Sequence, residues 1–272
     1  MIVVVHGPYE PWLSILKEGQ IKTWMSNPDS IRIVNAFGKK IGSNRISLDQ
    51  KIYFLRWHRN KIIAYLALAA EALIKYAVFL PFYKPKSLSK IDPIFGEVWE
   101  VQMPDSLLLQ GVKNLSIFRE ALNHDFDFLV TTITSTYLNL SLLNKFLHQF
   151  GTNEFLGGRI ELSGKTTYQQ GSFRIYSKDV VTNIVKNSFR YKHWRIEDIA
   201  MGKLVAKMYS KFVNMKNLTI SEVEDIEKLS HLQLNETISY RCKSFSNNMR
   251  FDALIMKNLH LRLNPQGIRG CD

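Results

Sequence analysis

Two adjacent carboxylates, Glu197 and Asp198, stand at the start of a stretch with helical spacing of apolar residues, 196–209. Acids in the first turn complement the helix dipole, which stabilises a helix by a few tenths of a kcal/mol. A carboxylate held at a helix start beside a cleft can also accept a proton as a general base. Neighbouring helical residues point about 100° apart, so only one of the two carboxylates would face a given ligand.

A polar turn near the C-terminus is surrounded by cations. Arg241, Lys243 and Arg250 flank the Ser/Asn-rich residues 244–248, ahead of a predicted helix at 249–259. Cations combined with free backbone N–H groups at a helix start can hold a phosphate group. A solvated basic edge is the alternative interpretation.

Residues 127–139 predict a buried strand that runs into a short polar turn and then a helix. Open α/β sheets bind ligands at the carboxyl ends of their strands, which makes the turn at 133–136 a candidate contact. This turn offers hydroxyls but no acid, lysine or glycine. Gly171 and Ser172, ahead of another predicted strand, either form an ordinary turn or let a ligand approach the backbone closely.

The elements that must position these residues alternate between strands and helices. This order predicts an α/β fold with a doubly wound, mostly parallel sheet and helices on both faces. We expect one domain over 1–272, with a nucleotide-binding part at about 1–150 and an acceptor or catalytic part at about 151–272. The Pro- and Gly-containing residues 84–96 predict a connection, and 236–241 predict a late strand.

Composition narrows the partners. Lys and Arg number 36 against 24 Asp and Glu, a formal charge of +12 that favours anionic ligands. A nucleic-acid module would interleave basic clusters with exposed aromatics, whereas the basic residues here are spread along the chain, so no nucleic-acid partner is predicted. The two cysteines form no metal or redox motif, which favours a reducing, cytoplasmic location. No signal peptide is expected, because the first apolar run lacks a basic leader.

The apolar stretch at 62–83 raises the question of a membrane helix. Glu71 and Lys75 lie in the middle of this stretch, which argues against a bilayer span and for a buried or interface-lying helix. Basic residues flank the stretch, Arg59 and Lys61 among them, so peripheral contact with an acidic membrane surface stays open.

Three segments together resemble a known family. FDFLVTTITSTYLNL (126–140) is similar to the strand Y-D-F-L-L-K-T-D-D-D-T-F-V-N-L of inverting GT-A-fold glycosyltransferases of the β-1,3-galactosyltransferase and Fringe-like group. GSFRIYSKDVV (171–181) resembles that family's S-G-x-G-Y-x-L-S-x-D-x-V, and EDIAMG (197–202) its E-D-V-x-x-G. The segments occur in the family's order, and the resemblance covers about 100–205.

At one place the sequence departs from the family's pattern. The family's acids hold a divalent metal against the diphosphate of the donor, and Ile133, Thr134 and Ser135 occupy those positions here. Hydroxyls alone are poor ligands for Mg²⁺ or Mn²⁺. The degenerate motif therefore implies metal-independent transfer or lost activity; no metal cofactor is expected, and Mn²⁺ or Mg²⁺ is the alternative.

The resemblance also implies roles. Asp198 would be the general base and Glu197 its partner at the helix start. A UDP-sugar of open identity, hexosyl or pentosyl, would be the donor, and a glycan hydroxyl the acceptor. A non-catalytic glycan- or nucleotide-binding relative is the alternative. The expected donor contacts are His6, Gly7, Tyr9, Thr132, Thr134, Ser135, Arg241, Lys243 and Arg250, and the expected acceptor contacts are Gly171, Ser172 and Trp194.

Overall fold

Eleven strands of the computed structural model form two sheets. The structure describes residues 1–7, 12–26, 31–39, 52, 55, 58–74, 87–105, 109–193, 195–209, 211–244 and 250–264. The strands are β1 Ile2–His6, β2 Arg32–Lys39, β3 Ser87–Asp92, β4 Gly96–Pro104, β5 Phe128–Ile133, β6 Thr136–Leu138, β7 Leu156–Ser163, β8 Thr166–Ser177, β9 Val213–Asn214, β10 Asn217–Ile220 and β11 Ser239–Cys242.

Nine α-helical segments are described between the strands. They are α1 Trp12–Ile15, α2 Lys61–Leu73, α3 Gln110–Ala121, α4 Leu140–Leu147, α5 Lys178–Lys186, α6 Glu197–Val205, α7 Glu224–Glu227, α8 His231–Glu236 and α9 Asp252–Leu263. Helix α1 continues as a π-helical turn, Leu16–Gln20, and a 3₁₀ turn follows at Trp24–Ser26.

The main sheet has eight strands in the order β3-β4-β2-β1-β5-β8-β7-β9. Its centre is parallel, because β1 pairs in parallel with β2 and β5, and β2 pairs in parallel with β4. β3 pairs antiparallel with β4, and β8 pairs antiparallel with β5 and β7, whereas β9 pairs in parallel with β7. The α/β class and the mostly parallel, doubly wound sheet are confirmed. The second sheet, β10-β11-β6, has three strands.

Helices cover both faces of the main sheet, as expected. Alternate residues of β1 belong to two separate cores, with Val3 and Val5 on one face and Ile2 and Val4 on the other. The first core includes residues of α4 and α9, and the second those of α3, α5 and α6. A strand buried on both faces explains the continuous apolar run of β1.

Three local predictions are wrong. Residues 84–96 contain β3, which pairs along its whole length with β4 as the edge of the sheet. Gly171 and Ser172 lie inside the 12-residue strand β8 rather than in a turn, because ladders to β7 and β5 sustain this polar strand. The late strand begins at Ser239, since Ser230 and Gln233 form a capping box that starts helix α8 upstream of it. Residues 75–83 of the apolar stretch lie outside the described residues.

Close packing of α6 on β8 fixes the helix that carries Glu197 and Asp198. A Cβ at Gly202 would lie 2.4 Å from the Tyr168 Cβ and 2.7 Å from the Thr167 carbonyl oxygen. Neither atom belongs to a flexible side-chain end, so the helix itself would have to move. The final glycine of the EDIAMG segment is therefore required by packing.

We predict that Gly202→Val lowers the free energy of unfolding by about 1–3 kcal/mol, the range found for overpacked interiors. Urea unfolding followed by circular dichroism measures the change. Gly151→Val is the matched control, because a Cβ there meets no atom within 4 Å. Equal unfolding midpoints for the two variants would contradict the tight packing of α6.

Candidate active site

The carboxyl ends of β1 and β5 meet at the middle of the main sheet. His6 at the end of β1 lies beside Ile133 at the end of β5, with the earlier strands β2, β4 and β3 on one side of this pair and the later strands β8, β7 and β9 on the other. In α/β sheets, ligands bind outside the carboxyl ends of the strands at such a point. The predicted site residues of β1 and β5 therefore lie at one edge.

Arg174 on β8 is the charged centre of this region. Its side chain is only 2% exposed and shares a face of the sheet with Tyr176, toward α3 and α6. The guanidinium donates from Nη1 and Nη2 to the two carboxylate oxygens of Glu197, at 2.7 and 2.6 Å. Nη2 also donates to Asp198 Oδ1, and Nε to the Gln169 carbonyl at 3.2 Å. One buried arginine thus anchors both acids at the start of α6.

The two acids differ in their surroundings. Glu197 also accepts a hydrogen bond from the Asn114 side chain of α3, and its own side chain is 13% exposed. Asp198 accepts a hydrogen bond from the backbone N–H of Gly171 at 3.2 Å, and its side chain is 28% exposed. Asp198 is therefore the more open of the pair.

The pKa values of the two acids are shifted in opposite directions. Burial alone would raise the pKa of Glu197, but the Arg174 guanidinium outweighs it and lowers that pKa to about 2. Burial raises the pKa of Asp198 to about 7; the charge of Arg174 opposes this shift and that of Glu197 adds to it. A pair of carboxyls with pKa values pushed apart is typical of acid–base sites.

His6 and Gly7 lie next to this cluster. Gln110 at the start of α3 contacts His6 Nδ1 at 3.0 Å. Burial, with the charge of Lys113 second, lowers the His6 pKa to about 3, so this imidazole is neutral at physiological pH. Lys113 itself is paired with Asp105 at 3.1 Å. Gly7 packs so tightly on the Phe37 ring that a Cβ would lie 2.1 Å from Cε1.

The polar turn at 133–136 is held by hydrogen bonds from both sides. Gln20 donates to the carbonyl oxygens of Ile133 and Thr136 at 2.9 and 2.8 Å. The Cys242 N–H donates to the Ser135 carbonyl at 2.8 Å. Thr134 and Ser135 are 4% and 5% exposed. The turn at 133–136 does not fit a divalent metal, because it supplies no carboxylate and the carbonyl oxygens of Ile133, Ser135 and Thr136 already accept hydrogen bonds.

The Thr132 side chain is buried and faces the neighbouring strand β8. Its hydroxyl donates to the Ser172 carbonyl at 2.9 Å, and the Thr136 hydroxyl donates to the same oxygen at 3.1 Å. Across the described parts of the chain, no group of three or more His, Cys, Asp or Glu side chains is arranged to hold a metal.

Of the predicted cations, Arg241 comes close to Asp198, from the second sheet. Arg241 lies on β11 opposite Thr136, and its buried Nε has no hydrogen-bond partner among the described residues. Burial lowers the Arg241 pKa, whereas the nearby charge of Asp198 raises it. Burial, followed by the charges of Arg241 and Arg250, lowers the pKa of Lys243. The three cations are therefore mutual neighbours.

Arg250 is the most constrained of these cations. It pairs with the buried Asp252 and lies over the Trp12 ring at 4.2 Å from its centroid. Asp252 also accepts a hydrogen bond from the Ser244 N–H at 3.1 Å. Tyr9 and Trp194 lie outside the described residues.

Sequence reasoning missed three residues of this region. Arg174 and Asn114 donate hydrogen bonds to Glu197. Tyr168 is half-buried, and burial raises the pKa of its hydroxyl; the nearby charge of Asp198 raises that pKa further. Arg174 carries a detectable signal, because it alternates with Phe173 and Ile175 inside an otherwise apolar part of β8. Its partners are 23 and 24 positions away, so the signal does not name them.

Comparison with known proteins gives a weak result. No protein-family model and no curated protein matches the chain. The galactosyltransferase LgtC, solved with donor and acceptor sugar analogs, is 10% identical, with 96% of this chain and 95% of that chain covered and a TM-score of 0.47. A glycosyltransferase involved in glycosylating the major capsid of PBCV-1 is 8% identical, covers 96% and 98%, and has a TM-score of 0.40. Mouse xyloside xylosyltransferase 1 is 6% identical, covers 88% and 96%, and has a TM-score of 0.38. At this level of identity and superposition the likeness carries no argument about activity.

The raised pKa of Asp198 predicts a pH-dependent stability. Between about pH 4 and pH 7 the unfolded chain has released this proton while the folded chain keeps it, so stability falls as the pH rises through that window. The fall is at most about 1.4 kcal/mol per pH unit. Glu197 contributes in the opposite sense, but only as the pH falls toward about 2. Urea unfolding of wild type and Asp198→Asn at about pH 5 and about pH 7.5 measures this effect. We expect the difference in stability between the two proteins to change with pH, and parallel curves would rule out a raised pKa.

Proposed function

We propose that this protein is an inverting glycosyltransferase that moves a sugar from a UDP-sugar to a glycan hydroxyl without a metal. The observation that carries the proposal is the Asp198 carboxyl, raised in pKa and 28% exposed, which Gly171 of β8 holds near the carboxyl end of β5. The resemblance of 126–140, 171–181 and 197–202 to the inverting family supplies the donor class and the stereochemistry.

Asp198 suits a general base. A carboxyl with a pKa near neutrality is half ionised at working pH and basic enough to take a hydroxyl proton. Arg174 fixes the position of this carboxyl, and it pairs with Glu197 through two parallel hydrogen bonds. Glu197 is thereby an orienting residue, and Asp198 is the group left to exchange a proton.

The transfer balances as follows. The acceptor hydroxyl loses its proton to Asp198, and its oxygen forms a bond to the anomeric carbon of the donor sugar. The bond from that carbon to the phosphate oxygen breaks on the opposite face, and UDP leaves with the electron pair, which inverts the anomeric configuration.

The departing diphosphate requires positive charge. Arg241, Lys243 and Arg250 supply it in this proposal, because they are mutual neighbours and Arg241 lies close to Asp198. Fixed cations stabilise a developing negative charge without reorganising during the reaction. Arg241 is the principal candidate, since its buried Nε has no hydrogen-bond partner in the described residues.

A non-catalytic nucleotide- or glycan-binding protein is the second candidate function. The replacement of the family's acids by Ile133, Thr134 and Ser135 favours it. The two functions share the donor site and differ only in the chemistry at Asp198, so binding and turnover must be measured separately.

The donor site is tested by the melting temperature in a panel of nucleotides with EDTA. Ligands that bind the folded state raise the melting temperature. We expect UDP or a UDP-sugar to raise it in EDTA, and Arg241→Gln to weaken the apparent affinity at least tenfold through loss of a charge-assisted contact of about 1.5–3 kcal/mol. Arg32→Gln is the matched control, because Arg32 is the first residue of β2 and therefore lies at the amino ends of the parallel strands, away from the proposed donor site.

Two results would contradict this assignment. A shift that appears only after adding Mn²⁺ would mean that a metal binds through other residues. Absence of a shift with every nucleotide would remove the donor site altogether.

The chemistry is tested by Asp198→Asn. We expect kcat to fall by about 10²–10⁴-fold with donor affinity retained, the usual effect of losing a general base. The wild-type rate should rise with pH toward a limb near pH 7, set by the Asp198 pKa, and the variant should lack that limb. Hydrolysis or transfer of a UDP-sugar, followed by release of UDP, is the assay. Donor binding with no turnover in the wild type would select the non-catalytic function.

A further inference from the structure

Helix α2 presents apolar side chains to solvent. Ile62, Tyr65, Leu66 and Leu73 are exposed to 69%, 71%, 65% and 68%, respectively. Ala67 and Glu71, one turn apart, are buried on the opposite side. The exposed side chains cannot belong to the core of this domain.

The exposed positions form one stripe. Ile62, Leu66, Ala69 and Leu73 follow each other at intervals of four, three and four, which places them on one face of an α-helix. From Ile62 to Ala70 the sequence contains no charged residue. A surface helix normally directs its polar face outward, whereas α2 directs an apolar face outward. Exposed apolar patches of this kind mark interaction sites.

The charges around α2 indicate what kind of partner this stripe would bind. Arg59 and Lys61 are exposed at the N-terminal end of the stripe, and the one acid of α2, Glu71, is buried. The whole chain carries a formal charge of +12. An apolar face flanked by cations is the pattern of helices that lie in the surface of an anionic membrane, with tyrosine at the level of the headgroups.

We propose that α2 docks on an anionic membrane with this stripe immersed. The helix lies in the surface rather than crossing it, since 13 residues at about 1.5 Å each span only about 20 Å. A hydrocarbon core is about 30 Å thick. Among the described helices, none is long and apolar enough to traverse a bilayer. The membrane would hold the protein at a surface independently of the chemistry at Asp198.

Co-sedimentation with vesicles tests the proposal on the full-length protein. We expect wild type to bind phosphatidylcholine vesicles containing phosphatidylglycerol, to bind pure phosphatidylcholine more weakly, and to lose affinity as salt is raised. Leu66→Glu should reduce binding to the anionic vesicles at least about tenfold, because a charge enters the immersed face.

Leu232→Glu is the matched control. Leu232 on α8 is exposed to 65%, the same as Leu66, and the substitution adds the same charge. We expect it to leave vesicle binding nearly unchanged, and thermal melting shows that both variants fold.

Three outcomes would overturn the proposal. The first is equal loss of binding in both variants, and the second is no preference for the anionic vesicles. The third is a dimer seen by light scattering in the absence of lipid that Leu66→Glu dissociates, which would assign the stripe to a second copy of the chain. No nucleotide enters these measurements, so they stand or fall separately from the proposed transfer.

Discussion

The buried Arg174 guanidinium is the interaction on which the candidate site depends. Moving an ion out of water costs several kcal/mol after relaxation, so a 2% exposed arginine requires counter-charges with good geometry. Glu197 supplies two hydrogen bonds and Asp198 a third. Because β8 carries the cation and α6 the anions, this one requirement fixes the start of the helix against the sheet.

The cluster of Arg174, Glu197 and Asp198 also explains why a glycine stands next to it. A Cβ at Gly171 would lie 2.7 Å from Asp198 Oδ1 and 3.0 Å from Arg174 Nη2, inside the ion cluster. The backbone N–H of Gly171 uses this proximity to donate to Asp198. At Gly202 the neighbouring β8 backbone excludes a side chain. The glycines of two of the segments that resemble the glycosyltransferase family therefore have a packing reason in this chain, independent of that resemblance.

How far the sequence predicted this arrangement depends on the range of the interactions. The apolar run of β1 and the acids of the first turn of α6 are local signals, and the central parallel sheet follows from the alternation of elements. The continuation of β8 through Gly171 could not be predicted, because the ladder beyond it is made with β5, a strand that is not adjacent to β8 in the sequence. Spacing likewise cannot show that a buried arginine selects Glu197 and leaves Asp198 more open.

The approach of Arg241 to Asp198 is a further case, and it bears on the proposed chemistry. It arises only because β11 pairs with β6, where Thr136, the residue opposite Arg241, lies 105 positions earlier in the sequence. Arg174 is paired with Glu197 and Arg250 with Asp252, so Arg241 is the cation that acts on Asp198 from the second sheet.

In the proposed transfer, uptake of the acceptor proton neutralises Asp198. Arg241 then loses a neighbouring negative charge at the moment when the diphosphate gains one. In a poorly solvated site such a change is felt strongly, because charges there are weakly screened. Base catalysis and leaving-group stabilisation would thus be coupled through the electrostatic field between these two residues, which gives a chain without the family's acidic turn a physical route to the same reaction.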